Sequence, residues 1–227
     1  MNIYPANIVD PQKELVQYED FMGQWITATT QMNPWLITVT NGTVTNAAGP
    51  AVVGKYGVVL VAGLTAAGDF ACIANRATDF FGPPGNMQLL FSHQQTQAAA
   101  ALFSQRLGIA LTPGAAGEVA SGIFFRASGA GNWFAVTRNG GAETATDTGI
   151  AQKGAGIWTK FLITTNPAGT SATFSIDGQI VATNQATNMP AAGVLMAPFV
   201  KGDTTGVGSS ESFGIDYIWM KISGLSR

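Results

Sequence analysis

A chain of 227 residues is long enough for one large all-β domain or two small ones, with a sizeable buried core. Only 11% of it is charged, against a usual share of about 25%, and its 11 basic residues are scattered without a run at a formal net charge of −2. That composition excludes nucleic-acid binding by counterion release, and the lack of any apolar run of about 18 residues excludes a membrane-spanning helix.

Low charge leaves two readings open. Thr, Ser, Asn and Gln can make a neutral surface, or other subunits can cover much of it, since interface cores are depleted in charge. The single cysteine, Cys72, excludes an intrachain disulfide and, within the apolar run Phe70-Ala-Cys-Ile, reads as a buried structural thiol. Residues 1–10 show no basic stretch followed by an apolar one, so the expectation is a protein that folds in a cytoplasm and is not exported through a signal peptide.

Residues 1–20 differ from the rest. Asp10, Lys13, Glu14, Glu19 and Asp20 concentrate charge there, and Pro5 and Pro11 resist regular structure. They read as an N-terminal arm that either packs on the domain or reaches a neighbouring subunit, with a short helical turn open over Lys13 to Tyr18. From Phe21 the chain is a series of short β segments. Trp25 to Thr29 and Trp35 to Thr40 are β-branched and aromatic, and Asn41-Gly42 ends the second with a hairpin-type turn. Tyr56 to Ala62 suits a central strand; Phe70 to Ala74 and Met87 to Phe91 follow, separated by a loop over Phe81 to Gly85. Gln94 to Phe103 has helix propensity and reads as a short helix or as the lead into a strand at Leu107 to Leu111. Val119 to Arg126 and Trp133 to Thr137 continue the series.

The stretch from Gly156 to Thr183 is the most informative. Trp158, Phe161 and Ile163 form one apolar run, which Asn166-Pro-Ala-Gly169 breaks. Ala172, Phe174 and Ile176 then alternate with Thr and Ser, Asp177-Gly178 signals a type I′ hairpin, and Ile180 and Val181 open the return strand. Val194 to Val200 and the strictly alternating Phe213 to Ile222 close the chain. About a dozen strands with no βαβ rhythm argue for an antiparallel sandwich.

Phe124-Phe-Arg126, Asn132-Trp-Phe-Ala-Val-Thr-Arg-Asn-Gly-Gly141, Trp158-Thr-Lys-Phe161, Phe174-Ser-Ile-Asp-Gly178 and Ile215-Asp-Tyr-Ile218, in that order, carry a resemblance. Over about residues 119–223 the chain resembles the concanavalin A-like (laminin G-like) jelly roll, especially versions found in tailed-phage virion proteins; residues 21–118 share its general character. The resemblance implies an all-β antiparallel jelly-roll β-sandwich over residues 21–227. Its members include lectins, glycan-binding modules, glycoside hydrolases and structural virion proteins, so the site must choose among them.

The residues present little chemistry. Glycoside hydrolysis needs two carboxyl groups facing each other across a cleft, about 5–5.5 Å apart in retaining enzymes. The "E-x-D-x-x-E" strand of the jelly-roll hydrolases is absent, and Glu118, Glu143 and Glu211 read as solvated residues of three separate loops. Asp177 and Asp216 take structural positions at a turn and in the last strand. The one histidine, His93, reads as a strand-end polar residue without a Ser or Cys partner motif. One His and one Cys exclude zinc of the usual kind; Asp69, Asp79, Asp147 and Asp203 read as loop residues and leave calcium open, but no dense acidic loop appears. Trp133, Trp158 and Tyr217 are candidates for stacking on sugar rings, although both Trp positions normally pack the sandwich.

The expectation is therefore a non-enzymatic structural protein of a phage particle, assembled in a host cytoplasm and most simply a capsid decoration (cement) protein. It would have no catalytic, cofactor or metal residues. Its partners would be its own copies, as a trimer or other symmetric cluster, and the major capsid or tail protein, with Tyr4, Tyr18, Trp25 and Trp35 as candidate contacts. The alternative is a carbohydrate-binding, lectin-like module or a tail-associated receptor-binding protein that takes a glycan.

Overall fold

The computed structural model describes residues 14–19, 21, 35–46, 59–62, 66–75, 80–82, 85–96, 103–114, 117–129, 131–206 and 212–224. In chain order the strands are β1 (Glu14–Glu19), β2 (Trp35–Thr40), β3 (Thr43–Asn46), β4 (Val59–Ala62), β5 (Phe70–Asn75), β6 (Phe80–Gly82), β7 (Met87–Gln95) and β8 (Phe103–Ala110). They continue as β9 (Gly122–Ser128), β10 (Asn132–Asn139), β11 (Ala142–Ala151), β12 (Trp158–Thr165), β13 (Ala172–Ile176), β14 (Gln179–Gln185), β15 (Val194–Thr204) and β16 (Ser212–Ser223). Among the described residues there is no helix.

Two antiparallel sheets stack into a jelly-roll β-sandwich. Sheet A runs β14-β13-β12-β7-β16-β4-β3, with β1 also on β16; sheet B runs β11-β10-β9-β8-β15-β5-β2, with β6 on β15. The period of two in each strand sends alternate residues into one shared core. In β12, Thr159, Phe161, Ile163 and Thr165 are buried while Trp158, Lys160, Leu162 and Thr164 face outward. Across the core, Phe125 of β9 meets Phe161 and Phe174 edge-on, at centroid distances of 5.0 and 5.2 Å. Such aromatic pairs add about 0.5–1.5 kcal/mol beyond the area they bury.

The closing strand alternates as its sequence requires, with one interruption. The register on β7 shifts between Ile215 and Tyr217, so Asp216 is the extra residue of a bulge, and Ile218, Met220 and Ile222 still face the core. Asp177 (φ 50°) and Gly178 (φ 84°) both take the left-handed conformation, which makes the β13–β14 connection the expected type I′ hairpin.

Several local expectations are corrected. Asn41-Gly42 does not close a hairpin: β2 pairs with β5 in sheet B and β3 with β4 in sheet A, so these two residues carry the chain between sheets. A Cβ on Gly42 would lie 2.4 Å from the Phe70 carbonyl oxygen, which restricts the crossing to glycine. Of the stretch Gln94 to Phe103, Gln94 and Gln95 finish β7 and Phe103 opens β8, in keeping with a lead into a strand, and residues 97–102 lie outside the described residues. Phe81 and Gly82, expected in a loop over Phe81 to Gly85, belong to β6, which pairs with β15. Of the expected arm, Glu14–Glu19 packs on the domain, one of the two readings, as a strand of sheet A with register Glu19↔Ile218 to Glu14↔Ser223, while residues 1–13 and 20 lie outside the described residues. Phe21, the first residue of the expected domain, is fully buried beside Trp35. The expected strand Trp25 to Thr29 lies outside the described residues.

Candidate functional site

The outer face of sheet A carries the candidate site. Cross-strand partners align Tyr18, Trp219, Leu90, Leu162, Ser175 and Ile180 in one row over β1, β16, β7, β12, β13 and β14. At about 4.8 Å between strands, the row spans roughly 24 Å. A mostly polar row flanks it on one side, Lys221, Gln88, Thr164 and Thr173, with the apolar Val16 at its β1 end. On the other side run Tyr217, Ser92 and Lys160, with Trp158 beyond Lys160 on the same strand. The Tyr18 and Tyr217 rings lie 6.1 Å apart.

Exposure concentrates here. The large hydrophobic residues that stand exposed among those described are Val16 (38%), Tyr18 (52%), Ile157 (51%) and Ile180 (60%). Val16, Tyr18 and Ile180 belong to this face, and Ile157 directly precedes Trp158. Exposed apolar groups rimmed by polar ones mark interaction surfaces. At one end of the face, Asn86, Gln88, Thr164, Thr165 and Ser223 line a recess of about 350 Å³ rich in amide and hydroxyl groups. Charge on the face is sparse: Lys221 pairs with Glu14 at 2.9 Å, and Lys153 with Asp177 at 2.6 Å.

The outer face of sheet B is built differently. A second apolar cluster of Phe70, Cys72, Ala74, Ala110, Val119, Phe124, Val136 and Phe199 lies on it. Gly108 permits its centre, since a Cβ there would sit 2.4 Å from that of Phe124, which stacks edge-on with Phe199 across β8. Beside the cluster lies a chain of ion pairs. The Lys201 ammonium, wholly buried, donates to the Gly117 carbonyl at 2.7 Å and pairs with Asp203 at 3.1 Å. Arg106, also buried, binds Asp203 and donates to both Glu118 oxygens at 3.0 and 2.5 Å. Arg126 forms a fork with Glu143 at 2.9 and 2.7 Å, and Arg138 donates to the same carboxylate at 2.8 Å.

These pairs fix the protonation of the acids. Burial alone would raise Glu118, but the Arg106 guanidinium outweighs it and holds the carboxyl below its ordinary range. Glu143 is likewise lowered, with Arg126 and Arg138 overcoming its burial. Burial pushes Asp203 up, with Arg106 and Lys201 opposing it. Segment 117–121 lies over this face, tied down by the Gly117 carbonyl, Glu118 and the buried Val119.

His93 lies neither at a strand end nor near solvent. It is buried between the sheets, 5.3 Å from the Trp133 ring and 5.2 Å from that of Phe213. Gln105 commits its amide nitrogen to Gln95 and Gln152 at 2.8 and 3.2 Å, so its oxygen accepts from His93 Nε2–H at 2.6 Å. Burial pushes His93 down to about 4. Cys72 is a buried thiol, pushed up to about 12 by burial.

No family model and no curated protein matches the chain. Solved structures do. A protein of unknown function, SO2946 from Shewanella oneidensis MR-1, matches 95% of this chain and 89% of its own at 15% identity and a TM-score of 0.70. A structure from work on endo-acting O-glycanases that initiate mucin breakdown, expressed by prominent members of the human gut microbiota, matches 91% of this chain and 98% of its own (9% identity, TM-score 0.61). Rv0315, an immunostimulatory antigen and pseudo β-1,3-glucanase of Mycobacterium tuberculosis, matches 92% and 98% (14% identity, TM-score 0.56). At these identities the likeness establishes the jelly-roll β-sandwich and nothing finer.

The sequence-derived candidates scatter. Tyr18 stands on the exposed face of sheet A, and Tyr4, Trp25, Asp79 and Glu211 lie outside the described residues. Trp35 is corrected: it is 1% exposed and packs on Phe21, because β2 turns it into the core, so it offers no surface to a partner. Trp133 is core, whereas Trp158 and Tyr217 are half-buried on the outer face of sheet A. Glu118 is an exposed loop residue as expected, but its carboxylate is held by Arg106, and Glu143 is corrected: it lies in β11, half-buried, bound by Arg126 and Arg138. Asp203 is a buried strand residue, Asp147 accepts from Asn132 at 3.0 Å, and Asp69 accepts from Asn41 at 3.1 Å, so these aspartates serve three separate places. Trp219 was missed, although strict alternation already sets it, with Tyr217 and Lys221, opposite Ile218, Met220 and Ile222.

Proposed function

We propose that this protein is a non-catalytic, glycan-binding β-sandwich module that takes its ligand on the outer face of sheet A. The observation that carries this reading is the row Tyr18–Trp219–Leu90–Leu162, flanked by Tyr217, Gln88, Thr164 and Lys160. Aromatic and aliphatic faces pack on the C–H surface of a sugar ring, while amide, hydroxyl and ammonium groups beside them take its hydroxyls. The same fold carries endo-acting O-glycanases and a pseudo β-1,3-glucanase, which supports carbohydrate as the ligand class.

The acids support a binder over a hydrolase. A glycosidase acid must keep its proton near neutral pH and face the scissile bond. Glu118 and Glu143 are held ionised by arginines, and Asp203 is 6% exposed between Arg106 and Lys201. A glycan array probed with the protein, with Trp219→Ala and with Tyr18→Ala tests the proposal. Binding that the substitutions abolish without lowering the melting temperature by more than a few degrees supports it; an empty array contradicts it.

A second reading, a decoration component of a phage particle, draws on the 11% charge content and on Val16 and Tyr18 standing exposed on the strand that follows the N-terminal segment. Light scattering separates the two. A stable trimer or larger ring across a concentration series favours the particle, and a monomer that binds glycan favours the module.

A further inference from the structure

The outer face of sheet A also indicates the charge of its ligand, an inference that rests on the glycan-binding reading above. The ionisable side chains on or beside this face, among the described residues, are Glu14, Lys153, Lys160, Asp177, Asp216 and Lys221. Lys221 neutralises Glu14 and Lys153 neutralises Asp177. Asp216 is buried in the β16 bulge and engaged there. Lys160 differs from all of these. Its backbone N–H donates to Asp177 Oδ1 at 2.8 Å, which pins this point of β12, while its side chain stands exposed and makes no ion pair among the described residues.

Its position is what gives it a role. Trp158 and Leu162 lie two residues away on either side along β12, at a spacing of about 6.6–6.8 Å. Ser92 stands directly opposite and Tyr217 one strand further. A sugar ring resting on the row of Leu162, Leu90 and Trp219 therefore has an ammonium at its edge that forms no ion pair among the described residues, the neighbouring Asp177 being paired with Lys153. An ammonium in bulk water gains little from an anion, but one covered by a bound ring is partly desolvated and gains more.

We propose that the glycan recognised by this face is acidic, bearing a carboxylate or a sulfate, and that Lys160 is the residue that reads the charge. The test uses glycan pairs that differ in charge alone: sialylated and asialo oligosaccharides, uronates and their methyl esters, sulfated and desulfated chains. Each hit from the array is titrated with both members of its pair at low and at physiological salt. The acidic member is expected to bind about tenfold tighter, with the advantage shrinking as salt rises, consistent with one charge-assisted hydrogen bond. Lys160→Gln should remove most of that tenfold preference, weakening the acidic member far more than the neutral one; Lys160→Arg should keep most of it. Lys160 is exposed, so neither substitution should move the melting temperature. Equal binding of both members, or acidic binding indifferent to Lys160→Gln, overturns the inference while leaving the glycan-binding reading in place. Binding to no member of any pair overturns the glycan-binding reading and this inference with it.

Discussion

The outer faces of the two sheets solve the same problem in opposite ways. Each must cover a β-sheet with a chain that has few charges. Sheet B concentrates Arg106, Arg126, Arg138, Lys201, Glu118, Glu143 and Asp203 on its face, pairs them with one another and lays segment 117–121 across them. Sheet A leaves Tyr18, Val16 and Ile180 exposed beside half-buried Trp219, Leu90 and Leu162, with two exposed or half-buried ion pairs at its margins. One face is sealed by its own charges and the other is open to a partner. The difference supports placing the proposed ligand on sheet A: a surface whose charges are largely paired with each other has little to offer a ligand, whereas apolar rings held at fixed register have much.

The sharpest way to break this contrast is to unseal sheet B. Arg106→Ala removes the guanidinium that Asp203 and Glu118 share, leaving Asp203 only Lys201 and Glu118 only the more distant Arg126; removing one member of a buried pair costs about 3–5 kcal/mol. A urea titration should show that loss, with glycan binding on sheet A unchanged at temperatures where the variant is folded. A drop below 1 kcal/mol would mean that segment 117–121 does not depend on the ion chain.

Acid should act on the core between the two faces. Burial lowers His93 from 6.5 to about 4, so in the unfolded chain this residue binds its proton first as pH falls. Stability that is present above about pH 6.5 is then lost progressively towards pH 4, by up to roughly 3 kcal/mol. Urea midpoints across that window measure it, and His93→Gln should flatten the slope at the expense of some stability at neutral pH.

Trp219→Ala probes the open face. A half-buried aromatic anchor at an interface contributes about 2 kcal/mol to binding, so affinity should fall roughly thirtyfold in a calorimetric titration. The smallest expected effect is at the margin: Glu14→Gln breaks the half-buried pair with Lys221 and should change stability by about 1 kcal/mol or less.

Much of the fold was legible because its signals are local. The Asp177-Gly178 hairpin, the Trp35–Thr40 strand and the alternation of β16 follow from short-range patterning. β11 was not legible: Ala142-Glu-Thr-Ala-Thr-Asp-Thr-Gly-Ile-Ala has almost no apolar alternation, because it is an edge strand with mostly exposed side chains. Asn41-Gly42 misled, since the same two residues suit a hairpin and a crossing between sheets, and only the non-local pairing of β2 with β5 decides. The ion chain was invisible for the same reason. Arg106, Glu118, Arg126, Glu143 and Asp203 are far apart in sequence, and registers such as Arg106↔Arg126 and Lys201↔Arg106 bring them together. Glu118 and Glu143 therefore looked like isolated loop acids. The candidate face was half legible: alternation exposes Tyr217 and Trp219, but only the pairing of β1 with β16 sets Tyr18 beside them.

The most direct test is to map by amide NMR which residues shift when a glycan identified on the array is titrated into the protein. The account predicts shifts confined to β1, β7, β12 and β16, centred on Trp219, Leu90 and Lys160, and silence across β8 to β11. Shifts centred on segment 117–121 and Arg126, with sheet A unchanged, would contradict it.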